Sequence, residues 1–126
     1  MGHGLVQPQV SHCGRPAQIP EMPLPVEEIL EGVPDARCLF TAESADEGAS
    51  AGFWSCDVGR YEFYFGYDEF VYMVEGELRV TECRPGGKTF DLRAGDTAHF
   101  PQGCTTIWEV TQKMTKYFVA RAPFDE

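Results

Sequence analysis

Residues 95–103 read GDTAHFPQG, the most specific arrangement of turn residues in the chain. Gly95 is followed by five residues and then Pro101, and one residue separates Pro101 from Gly103. Glycine and proline at fixed points turn a chain between strands, because glycine accepts φ angles that other residues avoid and proline restricts its own. The stretch therefore predicts a short strand between two turns, with Asp96 capping backbone amides in the first turn.

Short runs of aromatic and β-branched residues surround this stretch from residue 52 to residue 121. Each run is about 5 to 8 residues long, which is strand length. RPGGK (84–88) predicts a hairpin, and TAESADEGASAG (41–52) predicts a polar loop. No useful helical period follows residue 35, so the sequence predicts an all-β barrel or jelly roll. The predicted strand runs are GFWSCDVG (52–59), RYEFYF (60–65), DEFVYMVEG (68–76), ELRVTEC (77–83), KTFDL (88–92), DTAHFP (96–101), CTTIWEV (104–110) and KMTKYFVAR (113–121). The breaks predicted between these runs include VEGE (74–77) and VTQ (110–112).

Residues 1–35 have a different texture, because they hold six of the nine prolines. Proline disfavours long helices and central strands. We therefore expect an extended arm over residues 1–35 that wraps the barrel or a neighbouring subunit, and a barrel domain over residues 36–126. One short helical turn is predicted from Pro25 to Glu31, with Gly32 as its stop signal.

Composition excludes several classes of partner. The net charge of −10 disfavours nucleic acid, which is bound through Lys and Arg. The sequence contains no long apolar run of the kind that predicts a membrane span. Its N-terminal residues do not resemble a secretory signal. The five cysteines are odd in number and form no C-x-x-C pair, so we expect a reduced, cytoplasmic protein.

Two spacings together resemble a known family. Glu69-x6-Gly76 matches the end of the first cupin motif, and Gly95-x5-Pro101-x-Gly103 matches the second. YDEFVYMVEGEL and AGDTAHFPQG further resemble the cupin subgroup that includes ureidoglycine aminohydrolase and the ethanolamine-utilisation cupins. The resemblance implies a single-domain double-stranded β-helix, a jelly-roll barrel, behind the extended arm. It also implies a homodimer.

The same resemblance locates the metal ligands of the family, and most are missing here. They would fall at positions 63, 65, 69 and 106, where this chain has Phe63, Phe65, Glu69 and Thr106. A transition metal needs three or four N, O or S donors, so we expect no standard metal site and no cofactor. A shifted site formed by Glu69, His99 and a cysteine, Cys56 or Cys104, is the alternative.

Strand alternation predicts which side chains share a face. By the resemblance, those faces point into the barrel and form an apolar pocket around one carboxylate, which is the usual form of a small-molecule site. Trp54 and Trp108 are expected to be packing residues and pocket wall. The predicted pocket residues are Tyr61, Phe63, Phe65, Glu69, Val71, Met73, Thr106 and Trp108.

Glu69 is the residue most expected to carry chemistry. A carboxylate in an apolar barrel prefers its neutral form unless a cation pairs with it, and Lys116 and Arg60 are the candidate cations. Glu69 and Lys116 are therefore the predicted catalytic residues, with Glu69 as general acid or base. The alternative is a structural carboxylate held by backbone or tyrosine donors.

Three functions follow. The first is a metal-independent cupin that binds a small organic molecule in its barrel. The second is an enzyme that uses Glu69 for acid/base work on a ureide-like, nitrogenous or carbonyl substrate. The third is a structural or regulatory partner of another protein, bound through the proline-rich arm at a sheet edge.

Overall fold

The computed structural model describes residues 7–122. Within them, one 3-10 turn at Val26–Glu28 precedes a series of strands that begins at Ile29. The start of the predicted arm, including His3, lies outside the described residues. All pairings between the strands are antiparallel. Within residues 7–122 the strands are β1 Ile29–Gly32, β2 Arg37–Glu43, β3 Ala49–Cys56, β4 Gly59–Tyr64, β5 Asp68–Glu82, β6 Thr89–Arg93, β7 Thr97–Phe100 and β8 Thr105–Arg121.

Two long strands, β5 and β8, form the centre of the barrel and pair along most of their length. The first half of β8 also pairs with β4, and its second half pairs with β3. The predicted breaks at VEGE (74–77) and VTQ (110–112) are therefore wrong, because each lies inside a continuous strand. The four runs predicted around those breaks merge into β5 and β8.

Gly76 is where β5 bends without ending. Its φ is +90°, and the register between β5 and β8 shifts on both sides of it. A Cβ at this position would overlap the Lys113 carbonyl oxygen and the Met114 Cα on β8. The glycine of the first motif thus permits close backbone approach inside a strand, rather than a turn between strands.

The predicted turns hold elsewhere. RPGGK connects β5 to β6 as a hairpin, with the Gly87 N–H donating to the Arg84 carbonyl at 2.9 Å. GDTAHFPQG encloses β7, and the Asp96 carboxylate accepts from the Arg93 N–H at 2.9 Å, as expected. The predicted loop 41–52 is too long, because β2 and β3 take up all but residues 44–48.

The described part of the arm packs on its own barrel. The Met22 N–H donates to the Ala36 carbonyl at 2.8 Å, and the Cys38 N–H donates to the Pro20 carbonyl at 3.0 Å. The helical turn is shorter than predicted, because residues 29–32 form β1 and pair with the edge of β4. Pro25 precedes the turn and no side chain caps it.

Alternation along the strands separates the core from the surface. Glu69, Val71 and Met73 on β5 are buried, whereas Phe70 and Tyr72 between them are exposed. No helix among residues 7–122 has the length and apolar character that a membrane crossing requires. The hydrophobic core consists of Cys56, Tyr61, Phe65, Val71, Met73, Leu78, Val80, Leu92, Phe100, Trp108, Val110, Met114 and Phe118.

Candidate functional site

A cavity of about 390 Å³ opens at one end of the barrel. Exposed side chains of Phe40, Glu43 and Glu47 mark its mouth, and the buried side chains of Glu69, Trp108 and Lys116 mark its floor. Its walls combine barrel strands with the described arm. The residues of these walls include Met22, Leu24, Glu28, Cys38, Trp54, Phe63, Phe65, Tyr67 and Phe118.

A buried ion pair occupies the floor. The Lys116 ammonium donates to the Glu69 carboxylate, and the two side chains are only 7% and 5% exposed. The two side chains meet inside the barrel from different levels, since the register pairs Lys116 with Trp54 on β3 and Met73 on β5, whereas Glu69 lies opposite Ala120. Breaking such a pair leaves a buried charge uncompensated, so each side chain fixes the other in place.

Aromatic rings surround the ammonium. The Lys116 Nζ lies 4.9 Å from the Trp54 ring centroid, 4.8 Å from that of Trp108 and 5.9 Å from that of Phe118. Trp54, Phe63 and Trp108 also pack edge-to-face, at centroid distances of 5.0 to 6.0 Å. Cation–π attraction within about 6 Å adds to the ion pair in stabilising the charged Lys116 ammonium.

Two further groups line the cavity near this pair. Tyr67 is 39% exposed, but desolvation of its hydroxyl, followed by the charges of Glu69 and Glu28, raises its pKa to about 12, so the hydroxyl remains a donor at neutral pH. Burial also raises the pKa of the Cys38 thiol, against the opposing effect of Lys116. Cys38 is therefore a protonated and weakly nucleophilic wall residue.

The Trp108 indole leaves one polar atom without a partner. Its Nε1–H is buried and has no hydrogen-bond acceptor among the described residues. A buried N–H donor without an acceptor costs about 1 to 3 kcal/mol. The Trp108 ring lines the cavity, but its Nε1 has almost no accessible surface, so this donor faces packed protein rather than the open space.

The structure brings together five of the predicted site residues and separates the other four. Phe63, Phe65, Glu69, Trp108 and Lys116 line the cavity. The remaining four are buried behind the floor and do not line it; they are Tyr61, Val71, Met73 and Thr106. Strand alternation identified the inward face for eight of these nine residues and left the direction of Lys116 open, and it carries no information on depth along the barrel.

The other predicted partners of Glu69 lie elsewhere. Arg60 pairs with Glu31 at the surface, at 2.9 Å, so it is not the cation of Glu69. His99 is exposed, contacts Asp68 at 3.0 Å through its Nε2 and stacks on Phe70 at 4.5 Å. Cys56 is in the core, and Cys104 is half-buried and outside this cavity. The alternative metal site of Glu69, His99 and a cysteine is therefore not assembled.

The donor set of the cavity does not fit the family's metal. Phe63 and Phe65 offer carbon rings in place of imidazoles, and the Thr106 hydroxyl donates to the Phe63 carbonyl at 3.4 Å. The Glu69 carboxylate is already engaged by the Lys116 ammonium, which supplies a positive charge beside it. Among residues 7–122 no group of three or more His, Cys, Asp or Glu side chains could hold a metal ion.

Sequence reasoning missed the contribution of the arm and of β2 to the cavity. Met22, Leu24 and Glu28 come from the proline-rich segment, and Cys38 and Phe40 come from β2. No periodic pattern marks residues 20–28, because the segment is extended and held by a few backbone hydrogen bonds. Parity along β8 was the available signal for Phe118, which shares a face with Trp108 and Lys116.

An antiparallel β-barrel that closes over a cavity between β3, β4, β5 and β8 defines this chain as a cupin of the jelly-roll type. The model of the EutQ-like cupin domain matches residues 43–118, more than half of the chain, so the chain belongs to the EutQ-like cupin family. The resemblance drawn from the two motifs is confirmed. No curated protein sequence matches the chain.

Solved structures agree with this assignment. Ethanolamine utilization protein Q from Salmonella typhimurium LT2 is 25% identical, with a TM-score of 0.59, and the match covers 68% of each chain. EutQ from Clostridium difficile is 16% identical, with a TM-score of 0.59, over 69% of this chain and 68% of that one. A DUF861-family protein of unknown function from Pseudomonas syringae pv. tomato DC3000 is 19% identical, with a TM-score of 0.70, over 82% of this chain and 44% of that one. The last two show the fold alone.

Proposed function

We propose that this EutQ-like cupin binds a small organic molecule in its barrel, through an aromatic wall and a polar floor rather than through a cupin metal site. The observation that carries the proposal is the floor itself. The Glu69–Lys116 pair lies at the closed end of a cavity whose walls are largely aromatic. Small-molecule sites are typically mostly apolar, have a few convergent polar groups and measure about 300 to 1,000 Å³.

The polar floor is difficult to explain as a stability device. Replacing a buried ion pair by apolar side chains is often neutral or stabilising. Glu69 and Lys116 both line the cavity, so they lie where a ligand entering from the mouth would contact them. A ligand with a hydrogen-bond acceptor would pair with the ammonium.

A thermal-shift screen of ureides, amino acids, small carboxylates and small carbonyl compounds tests the proposal. A ligand of the folded state raises the melting temperature. Trp108→Phe should weaken the binding of the best ligand, because it shortens an aromatic ring that lines the cavity. Tyr61→Phe is the matched control, since Tyr61 is a buried aromatic outside the cavity whose hydroxyl donates to the Asp57 carbonyl at 2.7 Å. Equal affinity in wild type and Trp108→Phe would remove the indole from the site, and a screen with no stabilising compound would overturn the proposal.

A second candidate is an enzyme that uses Glu69 as acid or base on a small nitrogenous or carbonyl substrate. The contact between Glu69 and Lys116, with Tyr67 beside them, favours it, because a proton can pass between a carboxylate and an amine in direct contact. Glu69→Gln preserves the shape of the side chain and removes its basicity. Turnover of a ligand found in the screen should cease in this variant while binding persists. The third hypothesis, a protein partner held by the arm, stays a prediction.

A further inference from the structure

We infer that the ligand of this cavity is a small neutral aldehyde or ketone, and that Lys116 holds it as a reversible imine. The inference rests on the proposed function and specifies the chemistry of its ligand. It is carried by the amine in direct contact with a carboxylate on the cavity floor, and by the acidic character of the other charged groups of the lining.

The polar groups of the cavity favour a ligand that carries a hydrogen-bond acceptor. The Lys116 ammonium and the Tyr67 hydroxyl are donors in the lining, whereas the Glu69 carboxylate is taken up by Lys116. A carbonyl oxygen is an acceptor that these donors can satisfy.

The charges around the cavity select a neutral molecule. Lys116 is the only cation among the described residues that line it, and Glu69 balances that charge. The remaining charged groups of the lining, Glu28, Glu43 and Glu47, are acidic and would repel a carboxylate. A second cation would meet the Lys116 ammonium at the floor. A neutral carbonyl compound avoids both conflicts.

The reaction balances with the groups present. The Lys116 ammonium gives one proton to the Glu69 carboxylate, and the neutral amine attacks the carbonyl carbon as the C=O π pair moves to oxygen. That oxygen receives the proton held by Glu69, which gives a carbinolamine. The carbinolamine nitrogen returns a proton to Glu69, and the hydroxyl takes it and leaves as water while the nitrogen lone pair forms the C=N bond. The sum is ammonium plus carbonyl giving iminium plus water, with Glu69 regenerated as carboxylate.

The other nucleophile of the wall is poorly suited to compete. Cys38 lines the cavity, but burial keeps its thiol protonated.

Reductive trapping on the full chain tests the inference, with propionaldehyde as the probe and sodium cyanoborohydride as the reductant. The chain has three lysines, Lys88, Lys113 and Lys116, and the first two are exposed. Peptide mapping by mass spectrometry should show the propyl group on Lys116 at least about tenfold faster than on the other two, because the cavity positions amine and base together. Simple accessibility predicts the reverse order. Labelling of Lys88 and Lys113 with Lys116 unmodified would overturn the inference.

The Glu69→Gln variant tests whether the carboxylate assists imine formation at Lys116, as opposed to Lys116 reacting only because its amine is accessible. It should slow the labelling of Lys116 severalfold and leave the rates at Lys88 and Lys113 unchanged, so these two lysines serve as internal references. Unchanged labelling of Lys116 in a folded Glu69→Gln variant would remove the carboxylate from the step. The lysine comparison in the wild-type chain does not depend on whether this variant folds.

The two proposals fail in different ways. If carbonyl compounds or other ligands raise the melting temperature but Lys116 is never trapped, the cavity binds its ligand without an imine and only the further inference is overturned. If Lys116 is not trapped and no compound of the screen stabilises the protein, the proposed binding function is overturned as well.

Discussion

At Lys116, one side chain compensates a buried carboxylate and completes an aromatic wall. Lys116→Met retains the stem that packs on Trp54 and Trp108 but removes the ammonium. Glu69 is then a buried carboxylate without a cation, and we expect the free energy of unfolding to fall by about 3 to 5 kcal/mol. Urea denaturation measures this loss. The double variant Glu69→Gln with Lys116→Met should recover most of it, because neither charge remains.

A surface pair provides the matched control for that prediction. Arg60 and Glu31 are also in contact, at 2.9 Å, but their side chains are 39% and 68% exposed. Arg60→Met should cost less than about 1 kcal/mol, since solvent screens exposed pairs. A loss from Lys116→Met no larger than the loss from Arg60→Met would mean that the Glu69 carboxylate is not buried as described.

The alternation of side chains along each strand explains which residues were correctly predicted to face the barrel interior. Counting from Gly76 placed Glu69 in the barrel, but the direction of Lys116 stayed open, because a break was predicted between it and Trp108 where β8 is continuous. Arg60 has the opposite parity to the inward-facing Tyr61, which could have excluded it as a partner. Depth was not predictable, because alternation gives the side of a strand and not the distance from the mouth.

Among the elements, β5 depends on one glycine, Gly76, to bend within a continuous strand and approach β8 closely. Gly76→Ala should lower the free energy of unfolding by at least about 3 kcal/mol, because alanine is strained at positive φ and its Cβ would overlap the backbone of β8. Urea denaturation measures the effect. The substitution should destabilise both halves of the barrel, since β5 pairs with β6, β7 and β8.

Gly86 separates the two contributions. It also has positive φ, +72°, but a Cβ there would meet nothing within 4 Å. Gly86→Ala should therefore cost only the backbone strain, about 1 to 2 kcal/mol. Equal losses at the two glycines would show that close approach to β8 contributes nothing.

The turn chemistry made most of the elements predictable, and their ends were less so. GDTAHFPQG and RPGGK defined β7 and the β5–β6 hairpin because glycine and proline act locally. VEGE and VTQ carry similar local signals but lie inside β5 and β8, where pairing with several neighbouring strands overrides them. Long-range pairing is also why β1 could not be read from ILEG.

For the whole molecule, two buried acids predict how stability depends on pH. Burial raises the pKa of the Cys56 thiol from 9.0 to about 12 and that of Tyr61 from 10.0 to about 12. Both groups keep their protons longer when folded, so their contribution is complete below about pH 9 and is lost as pH rises toward 12. Urea denaturation at increasing pH should show stability falling above about pH 9.

Cys56→Ala should flatten the early part of that decline, because it removes the group whose ordinary pKa is lower. The exposed Cys83 supplies the control, and Cys83→Ala should leave the slope unchanged. A slope that is the same in the wild type and in Cys56→Ala would contradict the assignment.

The assembly predicted from the family resemblance stays a prediction. The outer face of β5 and β8 exposes Phe70, Tyr72 and Val119, where Phe70 and Val119 are register partners. This apolar face is the first place to examine if the protein forms a homodimer in solution, since two-fold pairing is the commonest assembly.

The arm gives the cavity a wall that is separate from the barrel's own framework. Met22, Leu24 and Glu28 line the cavity, yet they precede residues 43–118, the part that matches the family. Their side chains can change without disturbing the pairing of β5 with β8. Two members of this family can therefore share a barrel and a floor and still differ in what they admit, and exchanging arm segments between them is a direct route to altered specificity.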